Sequence, residues 1–149
     1  MAETTLTQAE ADALLAMEKH RVDDTQHVFP ILGGSVEIPL TSANKRETFL
    51  LDITRGRINL KKATYQNRVR TVVILARLDI DGPPHENPDG AEILCPDLHT
   101  YREGYGDKWA VPAPASVFSR TTDLWGSLED FMAFCRITET PLIERDLFV

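Results

Sequence analysis

The spacing of apolar residues changes period twice along this chain. Near the start, Thr7-Gln8-Ala9-Glu10 reads as a capping box, in which Thr7 and Glu10 satisfy each other's backbone N–H groups. Leu14, Met17 and several alanines follow at helical spacing. They predict a helix to about Arg21, with Lys19, His20 and Arg21 in a last turn that suits cations. From Gln26 the period falls to two. Residues 27–31 and 35–40 read as short strands joined at Gly33-Gly34, a hairpin signal. Residues 46–54, 57–63 and 68–80 read as three more strands, with turns at Arg55-Gly56 and Tyr65-Gln66-Asn67. In succession these make an antiparallel meander. The last strand has Val72, Ile74, Ala76, Leu78 and Ile80 on one face and Val73, Leu75, Arg77 and Asp79 on the other. Being apolar on both faces in its middle, it is predicted to be central.

Gly82-Pro83-Pro84 ends that strand, since proline cannot sit in a central ladder. Asn87-Pro88-Asp89-Gly90 is a turn sequence. Residues 91–102 read as a strand that pairs back on 68–80, with 92 opposite 80 and His99 opposite Val73. Gly104, Gly106 and Asp107 form a tight turn, and residues 108–111 a short strand. Residues 123–136 carry a second helix with Leu128, Phe131, Phe134 and Cys135 as apolar positions, and the tail 146–149 is apolar enough to dock back. The prediction is a single domain over residues 1–149 of α+β class. It has a twisted antiparallel β-sheet of six or seven strands, curled toward a half-barrel, with an N-terminal and a C-terminal helix.

With 149 residues and 42% apolar content, the chain can bury a real core. No window approaches the 18 or more apolar residues of a membrane span, and the acidic N-terminus lacks a signal pattern, so the expected compartment is cytoplasmic. Cys95 and Cys135 belong to no CxxC pair and read as buried structural thiols. The net charge of −7 opposes loose binding to nucleic acid. Charge is unevenly spread, however. Residues 54–78 hold seven basic residues and no acidic one, leaving nine basic against twenty-three acidic elsewhere.

That run supplies the first candidate site. Lys61, Arg68 and Arg77, with Arg57 and Arg70, are positioned to neutralise phosphates, and Tyr65 to stack on a base. The competing reading is a solvated sheet face balanced by acids from neighbouring strands. The second candidate is His85 with His99, Tyr101, Arg102 and Glu103. Two histidines with cations suit metal-independent RNA cleavage: one imidazole takes the 2′-hydroxyl proton, the other protonates the leaving oxygen, and Tyr101 positions. The expected register opposes this pairing, because it sets His99 roughly 23 Å from the base of the loop that carries His85. A separation under about 8 Å, with arginines nearby, strengthens the site; beyond about 15 Å a dyad is not credible.

Asp79, Asp81, His85, Glu86 and Asp89 are oxygen-rich ligands with one imidazole that would suit Mg²⁺ or Mn²⁺, but turn formation explains the same residues, so no metal and no cofactor is expected. Gly104-Tyr105-Gly106 with Asp107, Lys108 and Trp109 could form a stacking floor, but it reads as a tight turn with an aromatic lid on the core. No phosphate loop, serine elbow, HExxH or dinucleotide fingerprint occurs.

The segments TYQNR, RLDIDGPPHENPDG, CPDLHTYREGYGDKWA and LEDFMAFCRI together resemble a small family of uncharacterised bacterial and phage-associated proteins, over roughly residues 47–149. The resemblance implies no activity. It does imply that the motifs around His85, His99 and Tyr101 belong to one unit. The leading expectation is an RNA-directed protein, an endoribonuclease of toxin or defence type. The alternative is a non-catalytic binding protein, an inhibitor or accessory factor, that meets a protein partner through its basic sheet face or acidic surface.

Overall fold

The computed structural model describes residues 5–145, so the predicted docking of the tail 146–149 lies outside the described residues. The capping box forms as expected: the Glu10 N–H donates to Thr7 Oγ1 (3.1 Å) and the Thr7 N–H to Glu10 Oε1 (3.0 Å). The helix it starts, α1 (Gln8–Ala16), is shorter than predicted. Met17 turns extended, and Lys19–Arg21 form β1 instead of a last helical turn. The cation still serves the helix end, because Lys19 Nζ donates to the carbonyls of Leu15 (2.8 Å) and Met17 (2.9 Å) from the strand.

Next come β2 (Gln26–Val28), β3 (Ser35–Ser42), β4 (Thr48–Arg55), β5 (Ala63–Val69) and β6 (Val73–Ile80). Four departures from the predicted meander occur here. Gly33-Gly34 makes a turn but no hairpin, and β2 pairs in parallel with β12 (Leu142–Glu144). Residues 57–62 form a loop, not a strand. Tyr65, Gln66 and Asn67 are the middle of β5. The long strand expected at 68–80 is broken by Arg70 and Thr71, both in the left-handed region (φ 54° and 63°). β5 and β6 therefore form a hairpin with Val69 opposite Val73.

The chain continues with β7 (His85–Glu86), β8 (Glu92–Ile93), β9 (Asp97–Thr100), β10 (Ala110–Pro112), α2 (Leu124–Phe134) and β11 (Ile137–Glu139). The main sheet is mixed and eight-stranded, in the order β10-β9-β6-β5-β4-β3-β1-β11. Its neighbours are antiparallel except β1 and β11. The α+β class holds. The strand count exceeds the expected six or seven, the sheet is not purely antiparallel, and the second helix is followed by strands.

Side chains of α1, α2 and the inner sheet face make one core, which includes Leu14, Leu51, Ile53, Leu78, Leu128 and Phe131. A fully buried residue of this type is worth about 1.5–3 kcal/mol. β6 is interior, as its two-faced apolarity predicted, but it carries a bulge. Asn67 faces Ala76 while Arg68 faces Ile74, so Leu75 is the extra residue. The extra residue switches the alternation: Val73 and Leu75 are buried up to the bulge, and Ala76, Leu78 and Ile80 after it. Arg77 and Asp79 thereby turn to the outer face, away from the helices.

Candidate functional site

On that outer face, β9 pairs with β6 so that His99 lies opposite Arg77 and Asp97 opposite Asp79. The expected register, with His99 opposite Val73, is wrong by several residues. The reason is local. The β7–β8 hairpin consumes residues 85–93, so β9 starts at Asp97, not at 91. This hairpin folds back over the outer face and is held there by Asn87. Its side-chain amide donates to the Ala110 carbonyl (2.9 Å) and its oxygen accepts from the Ala110 N–H (2.8 Å).

The fold-back brings the two histidines together. Their ring centroids are 4.6 Å apart, edge to face. His85 Nε2 lies 2.7 Å from the Lys108 carbonyl and donates to it. His99 is wholly buried, and its Nδ1 donates to the Asp107 carbonyl at 2.8 Å. Its Nε2 faces three groups: Arg77 Nη2 at 3.1 Å, Asp79 Oδ2 at 3.2 Å and Asp97 Oδ1 at 3.4 Å. Arg77 is anchored by Asp79 Oδ2 (3.1 Å) and Asp107 Oδ2 (2.7 Å), and Thr64 Oγ1 donates to Asp79 Oδ1 (2.8 Å). Burial alone would lower the His99 imidazole, but the carboxylates of Asp79 and Asp97 outweigh it and hold the ring up at about 9. Burial would raise Asp79, but His99, Arg77 and Thr64 outweigh it and bring the carboxyl down to about 2. A cavity of about 270 Å³ opens over this cluster, lined also by Lys62, His85 and Cys95.

The separation of the histidines, with Arg77 beside them, thus meets the criterion set from the sequence. Two features run against a phosphate here. His99 has no exposed surface, and the cluster sets three carboxylates against one guanidinium. The ligand atoms of Asp79, Asp97 and His99 all lie within 4.8 Å of one another, a spacing that suits a cation.

The other predicted residues lie elsewhere. Tyr101 is buried with the core, and its hydroxyl donates to the Leu6 carbonyl (2.8 Å) and accepts from the Leu6 N–H (2.9 Å). It pins the segment before α1 and does not reach the histidines. Tyr65 is also fully buried and donates to the Leu124 carbonyl (2.7 Å), so its ring has no face for a base. Arg68 sits in a separate cluster, bidentate to Asp52 (2.6 and 2.8 Å) and bonded to Glu37 (2.8 Å) and the Thr71 carbonyl (2.7 Å). Arg70 pairs with Glu47. Lys61 is exposed on the loop 56–62. Cys135 is buried as expected, but Cys95 is only half-buried at the cavity.

Sequence reasoning missed Asp97, and it placed Asp107 only in the turn after Tyr101, not beside the histidines. Asp97 carried a usable signal, because it stands two residues before His99 and so shares its face. Asp107 comes from a turn, and no spacing rule places it. The chain belongs to the family described as a family of unknown function (DUF6978), whose model matches residues 6–137. No curated protein and no solved structure matches the chain. No helix among the described residues is long and apolar enough to cross a membrane.

Proposed function

We propose that the chain is a non-catalytic binding protein that docks an acidic protein partner on the loop between β4 and β5. One observation carries this reading: Ile58 and Leu60 stand 92% and 66% exposed on that loop, between Arg57 on one side and Lys61 and Lys62 on the other. Arg68 and Arg77 on the sheet face and Arg70 in the β5–β6 turn are committed to carboxylates of the same chain. Arg57, Lys61 and Lys62 have no such pairing among the described residues. The neighbouring turn adds exposed Ile31 and Leu32, and it is joined to the loop by the Gly33 N–H donating to the Gly56 carbonyl (2.9 Å). Burying each aliphatic side chain is worth about 1.5–3 kcal/mol. The flanking cations select a partner whose apolar cleft has an acidic rim. Residues 56–62 offer no aromatic ring for base stacking, which favours protein over RNA.

A photo-crosslinking residue in place of Arg57, activated in the producing cells, is expected to capture one acidic protein. The Leu60→Asp, Lys61→Glu double variant should lose that adduct while melting as the wild type does. Capture of RNA, or an adduct that persists in the double variant, overturns the reading. The contact between His85 and His99 beside Arg77 favours a second reading, RNA cleavage. Cleavage of single-stranded RNA in EDTA that disappears in His99→Ala would replace the binding reading.

A further inference from the structure

We propose that Asp79, Asp97 and His99 form a binding site for one divalent transition-metal cation of the manganese or zinc type. The argument begins with a polar group that the fold leaves unanswered. Asp97 is 1% exposed, and its Oδ1 has no hydrogen-bond partner among the described residues. A buried carboxylate oxygen without a partner costs more than almost any other polar defect. The oxygen is aimed at His99 Nε2, 3.4 Å away, and Asp97 lines the cavity.

No proton arrangement of His99 answers all of its neighbours. Its Nδ1 must carry hydrogen, because the Asp107 carbonyl opposite it only accepts. If Nε2 is bare, its lone pair meets the Arg77 donor but opposes two carboxylates. If Nε2 is protonated, it serves Asp79 but points a donor at Arg77 Nη2, 3.1 Å away. Asp97 Oδ1 has nothing to accept in the first case, and in the second it has only the long 3.4 Å share of a proton that Asp79 takes at 3.2 Å. A divalent cation in place of that proton answers Nε2 and both carboxylates together. Charge agrees: three carboxylates, Asp79, Asp97 and Asp107, face Arg77 and a protonated His99, and a divalent cation that displaces the Nε2 proton meets a local deficit of two. Lys62, at the cavity wall, offsets part of it from further out.

The donor spacing about His99 Nε2 fits. First-row cations bind oxygen and nitrogen at about 2.0–2.2 Å, which sets neighbouring donors roughly 3.0–3.5 Å apart. The Nε2 separations of 3.2 and 3.4 Å fall inside that range. The mixed carboxylate and imidazole set suits manganese or zinc better than calcium, which takes six to eight oxygens. Outer contacts are in place: the Asp107 carbonyl fixes the His99 tautomer, and Thr64 holds the second oxygen of Asp79 at 2.8 Å. Three protein ligands leave positions open toward the cavity.

The test uses the full chain stripped with EDTA and titrated with Mn²⁺, with the free-ion paramagnetic resonance signal as readout, and with Zn²⁺ by calorimetry. One equivalent should bind. Asp97→Asn, which preserves shape, should weaken binding by about a hundredfold or more, and His85→Ala should leave it within about threefold. In EDTA the Asp97→Asn variant should melt no lower than wild type, since it removes a buried unpaired charge. Should that variant fail to fold, the wild type still decides the matter: Zn²⁺ must shift the ¹⁵N resonance of His99 Nε2. No saturable binding at millimolar ion, binding unchanged in Asp97→Asn, or an unmoved His99 resonance overturns the proposal.

Discussion

Lys19 concentrates several physical demands on one side chain. It is fully buried, and its ammonium donates to the carbonyls of Leu15, Met17 and Cys135 (2.7–2.9 Å) while lying 4.8 Å from the centre of the Phe49 ring. It thereby ties the end of α1 to the end of α2. Replacing it by methionine keeps the volume but leaves three carbonyls without a donor, which should cost about 1–3 kcal/mol at neutral pH. The charge itself is held at a cost, since burial brings the ammonium down from its ordinary 10.5 to about 8. The folded pKa is therefore below the unfolded one. Between these values the unfolded chain binds the proton more tightly, so stability rises with pH across that window. The urea midpoint of the wild type should gain on that of Lys19→Met as pH climbs from about 8 to 10.5. A gap that is constant or moves the other way would show that the carbonyls, not burial, govern this group.

Among the elements, the β5–β6 hairpin decides where the cavity residues stand. Its turn places a β-branched residue, Thr71, at φ 63°, a conformation that costs such residues roughly 1–2 kcal/mol. Thr71 is exposed and its side chain makes no hydrogen bond among the described residues, so Thr71→Gly should stabilise the protein by about 0.5–1 kcal/mol after the added freedom of the unfolded chain is subtracted. Urea unfolding measures this, and a loss of stability would mean that Thr71 bears no strain in the turn. The same turn explains why the sequence misled here. Arg70-Thr71 carries no glycine, asparagine or proline, and the apolar run continues straight through it. Tyr65-Gln66-Asn67, with its polar amides, looked like the break instead. Elements with local chemistry were legible: the Thr7–Glu10 capping box, the strand at 48–55 and the apolar face of α2. Those that depend on distant pairing were not. The parallel contact of β2 with β12 has no local signal, and the bulge at Leu75 reverses a strand's alternation without changing its composition. For the cavity, His85, His99 and Arg77 were identifiable as residue types. Their meeting was not, because it depends on how many residues the β7–β8 hairpin consumes.

At the scale of the molecule, the C-terminal segment is woven into the N-terminal one. β1 lies between β3 and β11, β12 pairs with β2, and Lys19 reaches the Cys135 carbonyl. Such interleaving leaves no surface along which α2 and its neighbours could part from the sheet without breaking several strand pairs. It therefore predicts one cooperative unit. Cys135 supplies a probe at the junction. It is 0% exposed at the end of α2, and burial pushes its thiol up to about 12, so it should react only when the surrounding structure opens. Cys95, half-buried at the cavity, has to be replaced by serine first so that a single thiol is counted. In that variant the free energy of opening, from the rate at which a thiol reagent labels Cys135, should equal the free energy of unfolding by urea. Labelling tenfold faster than urea unfolding allows corresponds to an opening about 1.4 kcal/mol cheaper than global unfolding. That result would show the last strands and α2 to be a separately opening unit, and the interleaved pairing too weak to bind the two ends of the chain into one.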